Sequence, residues 1–290
     1  MNNKISKIGM LSALALSCTL TMGARDIVQR TAHYMPEGTA FVCVNGSRRY
    51  TRALYGSTAE WRRDASDRPV FATYKKNQTG NIRFRISNGE QMMWLDEAEY
   101  CKASYEAGRR NYLLQDRRWG KGELDISVLA FPDTEGAVWR FIVRGFDNRK
   151  LKVEAVLSQT AVPKPVRSGD IGSFLKPGTF EPATSETSVL GSVSRLSPGS
   201  IFYFSVDGEN QLSTAENAKM QSLYDAAQQW RNKLSSSVVF HTPDAYINPI
   251  GGALVMAADG AWDGKVWQHG AVGWRMSLPG WRGAFMCDFI

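Results

Sequence analysis

The residues best suited to chemistry lie in a short segment between positions 267 and 282. Six side chains there have the types that bind sugars: Trp267, His269, Trp274, Arg275, Trp281 and Arg282. Indole rings stack on the apolar C–H face of a pyranose, and planar guanidinium groups hold polar partners with paired hydrogen bonds. The triplet Gly-Trp-Arg occurs twice, seven residues apart, on a glycine-rich backbone typical of a loop. These six residues are therefore predicted to contact a carbohydrate.

Hydrolysis of a glycoside needs more than binding residues. It normally uses two carboxyl groups, about 5 Å apart for retention of configuration or about 6.5–9.5 Å apart for inversion. The carboxylates near the segment are Asp259, Asp263 and Asp288. Asp259 is equally suited to pair with Arg275 or Arg282, and Asp263 is typical of a turn. No two carboxylates form a convincing pair, so the catalytic residues stay unknown, and a core role for the tryptophans stays open.

No cofactor and no metal are predicted. The sequence has no glycine-rich phosphate loop, no Gly-x-Ser-x-Gly elbow and no cluster with metal-ligand spacing. His33 and His241 are isolated. The four cysteines are scattered, which gives neither a zinc site nor a disulfide framework. A disulfide between Cys43 and Cys101 and two buried thiols are both compatible with the sequence.

Residues 1–24 have the features of a secretory signal peptide. A basic head at 1–7 precedes an apolar stretch at 8–22, and cleavage is expected after Gly23 or Ala24. Attachment of a lipid at Cys18 is the alternative. No other run is long and apolar enough to span a membrane. The protein is therefore expected to be exported to the periplasm or the cell surface.

An excess of basic residues gives the chain a formal net charge of +7. Export and the lack of a nucleic-acid motif argue against nucleic acid as a partner. A basic surface suits an anionic glycan, and a solvated face with scattered ion pairs is the simpler interpretation. The predicted partner is a polysaccharide or oligosaccharide, and whether it is anionic stays open.

Residues 39–206 have the pattern of many short antiparallel strands. Apolar and polar residues alternate in 81–87 and in 122–130, which places one face of each strand in a core. Turn residues separate the strands. This pattern predicts a mainly β fold built as an antiparallel β-sandwich. Further strands are predicted at 137–143, 151–157, 186–193 and 200–206.

Two places in this region depend on local signals. Asn45-Gly46 follows the strand predicted at 39–44, and this dipeptide is the strongest short signal for a hairpin. Residues 96–110 fit a helical turn or a pair of strands, and the sequence does not decide between them.

An amphipathic helix is predicted after the sandwich. Ser213 and Glu216 have the spacing of a capping box, which places the helix start directly after Ser213. The helix is predicted to end at 235–237. Its apolar stripe is predicted to consist of Leu223, Tyr224, Ala227, Trp230 and Leu234, and its polar residues of Lys219, Asp225, Gln228, Gln229 and Arg231.

A second helix is predicted from Asn248 as cap and Pro249 at the first helical position. Residues 250–258 are apolar on every side, which is typical of a helix inside a large domain.

Several motifs give the chain a family resemblance. They are Tyr-Met-Pro-Glu-Gly at 34–38, Phe-Val-Cys-Val-Asn-Gly at 41–46, Arg-Ala-Leu-Tyr-Gly at 52–56, Asp-Arg-Pro at 67–69, and the segments 269–275 and 280–284. With the order of signal, sandwich and helices, they resemble large secreted proteins of polysaccharide-degrading bacteria. Those proteins join a β-sandwich domain of unknown function to a six-hairpin, (α/α)6 glycoside hydrolase barrel.

The resemblance implies a supersandwich-like domain followed by the first helices of an incomplete (α/α)6 barrel. Residues 269–275 are implied to form the first substrate-facing loop. A whole barrel needs roughly 300 further residues, at about 12 per helix plus loops. The catalytic carboxylates of the family are implied to lie in that absent region, so the chain is expected to be truncated, with a downstream chain as one source of the missing helices.

Four parts are expected: a signal peptide at 1–24, a β-sandwich at 25–212, a linker helix at 213–237, and the start of a truncated helical domain at 238–290. The expected function is that of an exported N-terminal module of a glycoside hydrolase-like protein in polysaccharide utilisation. The module is expected to contribute carbohydrate contacts and to have no catalytic activity on its own. A stand-alone carbohydrate-binding or adhesion module and a non-functional truncated product are the alternatives.

Overall fold

The computed structural model describes residues 33–48, 50–56, 61–75, 78–146, 151–159, 187–194, 196–213, 215–265 and 267–268. The chain divides into two compact units, Met1–His33 and Tyr34–Ile290. Of the first unit only His33 is described, and all other described residues belong to the second. The predicted signal peptide at 1–24 and Cys18 lie outside the described residues.

Fourteen strands and two α-helices make up the described part of the chain. The strands are β1 (Met35–Glu37), β2 (Ala40–Val44), β3 (Tyr50–Tyr55), β4 (Trp61–Ser66), β5 (Val70–Lys75), β6 (Gln78–Ser87), β7 (Met92–Trp94), β8 (Tyr100–Glu106), β9 (Arg109–Gln115), β10 (Glu123–Ala130), β11 (Gly136–Arg144), β12 (Lys152–Gln159), β13 (Thr187–Ser194) and β14 (Ile201–Asp207). The helices are α1 (Asn217–Ser235) and α2 (Ile250–Asp259).

The strands form two antiparallel sheets. The first sheet has the order β1-β2-β8-β9-β10-β11-β14, and the second has β13-β12-β6-β5-β4-β3 with β7 paired to β6. The mainly β, antiparallel fold is thus as predicted. The described residues contain no (α/α)6 barrel, because α1 and α2 are the α-helices present there.

The core lies between the two sheets and follows the period-two pattern of the strands. On β6, Ile82, Phe84 and Ile86 are buried. The ring centroid of Phe84 lies 5.0 Å from that of Phe141 and 5.7 Å from that of Trp139, both on β11. Burial of each such side chain contributes roughly 1.5–3 kcal/mol. The core faces predicted for β6 and β10 are confirmed, but the opposite face is partly buried as well, at Arg83 in β6 and at Ser127 in β10.

The strands run between two ends of the sandwich. The closed end lies at the β10–β11 turn, where Lys75 of β5 forms ion pairs with Glu135 at 2.7 Å and Glu209 at 2.6 Å. The hydrogen bonds from its ammonium group raise the pKa of Lys75 above its ordinary value. The open end lies at the opposite limit of the same strands, where β6 and β11 finish at Ser87 and Arg144.

The predicted hairpin at Asn45-Gly46 is wrong. After β2 the chain crosses to the second sheet, because β3 pairs with β4 and not with β2. Asn45 does adopt the left-handed conformation, with φ of 51°. Its backbone N–H donates to the Cys101 carbonyl at 2.8 Å, and a Cβ at Gly46 would lie 2.5 Å from that of Asp67. The dipeptide therefore serves a tight crossing between sheets.

Residues 96–110 form mainly a pair of strands. Of the two structures that the sequence left open, a helical turn and a strand pair, the strand pair is therefore the correct one. β8 and β9 form a hairpin whose turn is Ala107-Gly108, with φ of 38° and 88°. Two successive residues with positive φ match the turn type that suits the right-handed twist of a two-residue hairpin. A short 3-10 turn, Leu95–Glu97, precedes the pair.

The predicted capping box of α1 is wrong. The hydroxyl of Ser213 accepts from the N–H of Ala215 at 3.2 Å, and the helix begins only at Asn217. Glu216 holds the N-cap position without a side-chain cap. Because Ser213 also continues the pairing of β14 through its N–H to the Ser205 carbonyl, it is held on the sheet. The end of the helix at Ser235 agrees with the prediction.

One residue of α1 reverses its predicted role. Tyr224 and Ala227 are buried on the first sheet as expected, with the Tyr224 hydroxyl 2.8 Å from that of Ser127. Arg231, expected on the polar face, is buried too. Its Nε donates to the carbonyl of Ala107 at 2.8 Å. Burial lowers the pKa of Arg231, and backbone carbonyls of the β8–β9 turn bind its guanidinium.

Helix α2 packs on the same turn. It begins at Ile250 after Pro249, one residue later than predicted, and Asn248 instead accepts from the N–H of Thr242 at 2.8 Å. Met256 is buried and lies against Gly108. Among the described residues, no helix is both long and apolar enough to cross a bilayer.

Candidate functional site

Of the six predicted sugar-binding residues, the structure describes Trp267. It follows α2 and forms an isolated antiparallel bridge with Trp262, their ring centroids 4.4 Å apart. The N–H of Gln268 donates to the Ala261 carbonyl at 2.8 Å, which closes this small loop. The other five, His269, Trp274, Arg275, Trp281 and Arg282, lie outside the described residues.

The two described carboxylates near this loop differ. Asp263 is a turn residue as predicted, since its carboxylate accepts from the Lys265 N–H at 3.0 Å. Asp259 ends α2 half-buried, and burial raises its pKa. Its predicted partners, Arg275 and Arg282, lie outside the described residues.

The two described cysteines, Cys43 and Cys101, are buried thiols. The Cys101 Sγ approaches the Asp67 carbonyl at 3.6 Å. Burial raises the pKa of both thiols, that of Cys101 to about 12. A nucleophilic cysteine needs a lowered pKa, so neither of these thiols is suited to act as a nucleophile.

A cavity of about 910 Å³ lies at the open end of the sandwich. Its size is within the usual range of ligand pockets, roughly 300–1,000 Å³. It opens between the end of β6, the loop between β9 and β10, and the end of β11. The lining residues are Ile86, Ser87, Asn88, Gln91, Met92, Met93, Arg118, Trp119, Gly120, Lys121, Gly145, Phe146 and Leu151.

One wall is a 3-10 turn, Arg117–Trp119, fixed by Asp116. The Asp116 carboxylate accepts from the Arg118 N–H at 2.9 Å and from both Nε and Nη2 of Arg118 at 2.7 Å. These bonds, the side-chain ones first, lower the pKa of Asp116. The Trp119 ring lies 5.7 Å from that of Phe146, tilted by 41°. One side of the Trp119 ring thus packs against the core residue Phe146, and Trp119 borders the cavity.

The facing wall is the turn between β6 and β7. The Asn88 side-chain oxygen accepts from the N–H groups of Glu90 at 3.0 Å and Gln91 at 2.7 Å. This Asx turn is held by hydrogen bonds within residues 88–91 and does not depend on contacts with other elements. It presents the amides of Asn88 and Gln91 and the 55% exposed Met92 to the cavity.

Glycines let the loops come close at the floor of the cavity. Gly145 has φ of 66°, and a Cβ there would lie 2.8 Å from the Lys121 carbonyl oxygen. A Cβ at Gly122 would lie 2.6 Å from Cε1 of Phe146. Because the nearest atom at Gly145 is backbone, a larger residue would force the loops apart.

The electrostatics of the cavity are one-sided. Arg118 and Lys121 bring positive charge, and no aspartate or glutamate occurs among the described lining residues. Arg118 is already paired with Asp116, whereas no described carboxylate lies within ion-pair distance of Lys121. The described lining contains no histidine or cysteine either, so it holds no set of metal ligands.

One wall of this cavity has a signal in the sequence that the predicted site did not include. Residues 117–122 read Arg-Arg-Trp-Gly-Lys-Gly, which combines Trp, Arg and Gly as the predicted segment near 274–282 does. The other wall could not be found that way. It comes from residues 86–93, which reach the cavity only through the pairing of β6 with β12 and the packing of the two sheets.

A family model matches the part of the chain that forms this cavity. Residues 77–183 match a model described as a domain of unknown function, DUF4450. All the lining residues fall inside that span. No curated protein matches the chain. The predicted domain of unknown function is thus shown over this span.

Proposed function

We propose that the protein binds an oligosaccharide or polysaccharide in the open-end cavity, as the β-sandwich module of an exported glycoside hydrolase-like protein. The observation that carries this proposal is the lining: Trp119 and Phe146 lie beside the amides of Asn88 and Gln91 and two cationic side chains. Export is expected from the signal-peptide features of residues 1–24, and the glycoside hydrolase context rests on the resemblance of the sequence.

Sugars need a mixed surface of this kind. A pyranose offers apolar C–H groups on its faces and hydroxyl groups around its edge. Trp119 and the methionines of the cavity suit the former, and the planar amides suit the latter. The walls are set by local turns and by the Asp116–Arg118 pair, so little ordering is needed on binding.

The same lining argues for binding without catalysis. Glycoside hydrolysis needs a carboxyl pair, and the described lining offers none. Asp116 lies next to the cavity, but its bonds to Arg118 lower its pKa and keep it ionised. It is therefore unsuited to act as a general acid.

Charge favours an anionic sugar, such as a uronic acid. Arg118 is committed to Asp116, so Lys121 is the cation of the lining that can pair with a ligand carboxylate. Trp267 and the five predicted residues from His269 to Arg282 remain a second proposed contact set.

Binding to polygalacturonate, alginate and neutral glucans, measured by affinity electrophoresis and calorimetry, tests the proposal. We expect retention on the uronate polymers, and about a tenfold loss in Lys121→Ala with an unchanged thermal midpoint. Lys233→Ala, an exposed lysine on α1, is the control and should bind normally. Retention on no glycan, or normal binding by Lys121→Ala, would contradict the proposal, and release of reducing ends would show catalysis.

A stand-alone carbohydrate-binding module is the second candidate. It is favoured because the whole cavity lies in the segment 77–183. In that case the Trp274→Ala and Trp281→Ala variants should bind glycans with the affinity of the unmodified chain. The Lys121→Ala variant should bind them more weakly. A loss in the tryptophan variants with no change in thermal midpoint favours the glycoside hydrolase-like module.

A further inference from the structure

The closed end of the sandwich holds an arginine inside the core. Arg63 lies on β4, is 0% exposed, and points between the sheets. Its Cζ lies 5.4 Å from the ring centroids of both Trp61 and Trp139. Its Nη1 donates to the Thr73 hydroxyl and, at 3.3 Å, to the Asn210 side-chain oxygen. The group is therefore fixed between two indoles and two neutral oxygens.

No described carboxylate contacts this cation. Asp207 and Asp64 act on it only at longer range. Burial lowers the pKa of Arg63 to about 9, so the group keeps its charge at neutral pH. Arg110 is also fully buried, but its Nη2 contacts the Asp67 carboxylate at 3.1 Å. A buried charge without a contacting counter-charge is costly, and Arg63 is in that position.

Four hydrogen-bond donors of Arg63 and the two indoles beside it are left over. Arg63 Nε, Arg63 Nη2, Trp61 Nε1 and Trp139 Nε1 are buried and donate to no described atom. The nearby oxygens of Thr73 and Asn210 are already bonded to each other and to Arg63. A water molecule would add hydrogens that need acceptors of their own. A negatively charged group that accepts hydrogen bonds and donates none fits these surroundings better.

We propose that the closed end is a binding site for a small monovalent anion, chloride under physiological conditions, held by Arg63 with the indole N–H groups of Trp61 and Trp139. The anion supplies the counter-charge that the described chain lacks there, and it stabilises the folded sandwich. This site is at the end opposite the sugar cavity and does not depend on sugar binding.

Thermal unfolding in sodium chloride and in sodium gluconate, at constant ionic strength, tests the site. Above the dissociation constant, the midpoint should rise by roughly 3–5 °C for each tenfold increase in chloride. Arg63→Met should remove this dependence. Arg62→Met, the neighbour that faces outward to Asp64, is the control and should keep it. An unmodified protein indifferent to chloride, or a chloride-dependent Arg63→Met, overturns the proposal.

Bromide provides a test that needs no variant. Crystals of the unmodified protein soaked in sodium bromide should give an anomalous peak beside Arg63, within hydrogen-bond distance of its guanidinium. A peak there supports the site even if Arg63→Met does not fold. No peak, or density explained by water alone, overturns it.

Discussion

The two ends of the sandwich use the same residue types, arginine beside tryptophan, in opposite ways. At the open end Arg118 is bound by Asp116 through two side-chain bonds, and Trp119 borders a cavity. At the closed end Arg63 has no contacting carboxylate among the described residues, and its indoles are buried. In our proposals the arginine with an internal partner supports a binding site, and the arginine without a contacting carboxylate is itself part of one.

The largest expected effect concerns the glycines that shape the open end. Gly145→Ala should lower the free energy of unfolding by about 3 kcal/mol, because a left-handed alanine costs about 1 kcal/mol and the contact with the Lys121 carbonyl adds the rest. Gly89→Ala shares the positive φ but meets no atom within 4 Å, so it should cost about 1 kcal/mol. Urea denaturation measures both. Equal costs would show that the loops do not meet at Gly145.

A matched pair of substitutions tests the contrast between the arginines. Arg118→Met should lower the free energy of unfolding by about 1–2 kcal/mol, because it leaves the buried Asp116 carboxylate without its main partner. Arg63→Met in chloride-free buffer should be neutral or stabilising by about 1–4 kcal/mol, because it removes a buried charge with no contacting partner. Urea denaturation compares the two. A loss in Arg63→Met as large as in Arg118→Met would break the contrast.

A smaller effect should appear in acid. The folded pKa of Asp116 is below its ordinary value, so its stabilisation is present above the unfolded pKa of about 3.9 and is lost as pH falls through the folded pKa. In Asp116→Asn, the loss of unfolding free energy below about pH 4 should be smaller by about 1 kcal/mol. Asp244→Asn, on an exposed loop, is the control and should keep the profile. An unchanged acid limb in Asp116→Asn would show that the pair adds no stability.

The sequence predicted what depends on local periodicity. The strands from β10 to β14 lie within a few residues of their predicted positions. The alternation of apolar and polar residues in a half-buried strand can be recognised from consecutive residues alone. Helix α2 was predicted from Asn248 and Pro249 as start signals and from its apolar body, and it begins one residue later than predicted. The mainly β fold follows from these elements.

What the sequence could not show depends on partners distant in the chain. Asn45-Gly46 meets the conformational demand of a hairpin, yet the next strand joins the other sheet. Arg231 looks like a surface residue until the carbonyls of Glu106 and Ala107 are placed beside it. The cavity combines residues 86–93 with 117–121, and only the packing of the sheets brings these together.

The docking of both helices on the Ala107-Gly108 turn predicts an order of folding. Arg231 of α1 lies 125 residues from the Glu106 carbonyl it binds, and Met256 of α2 lies still further along the chain from Gly108. Such distant contacts form late, since the entropy of closing a long loop must be overcome first. We therefore expect the β8–β9 hairpin, closed by adjacent strands, to form before the helices dock. During synthesis the turn should then be in place when the helices leave the ribosome.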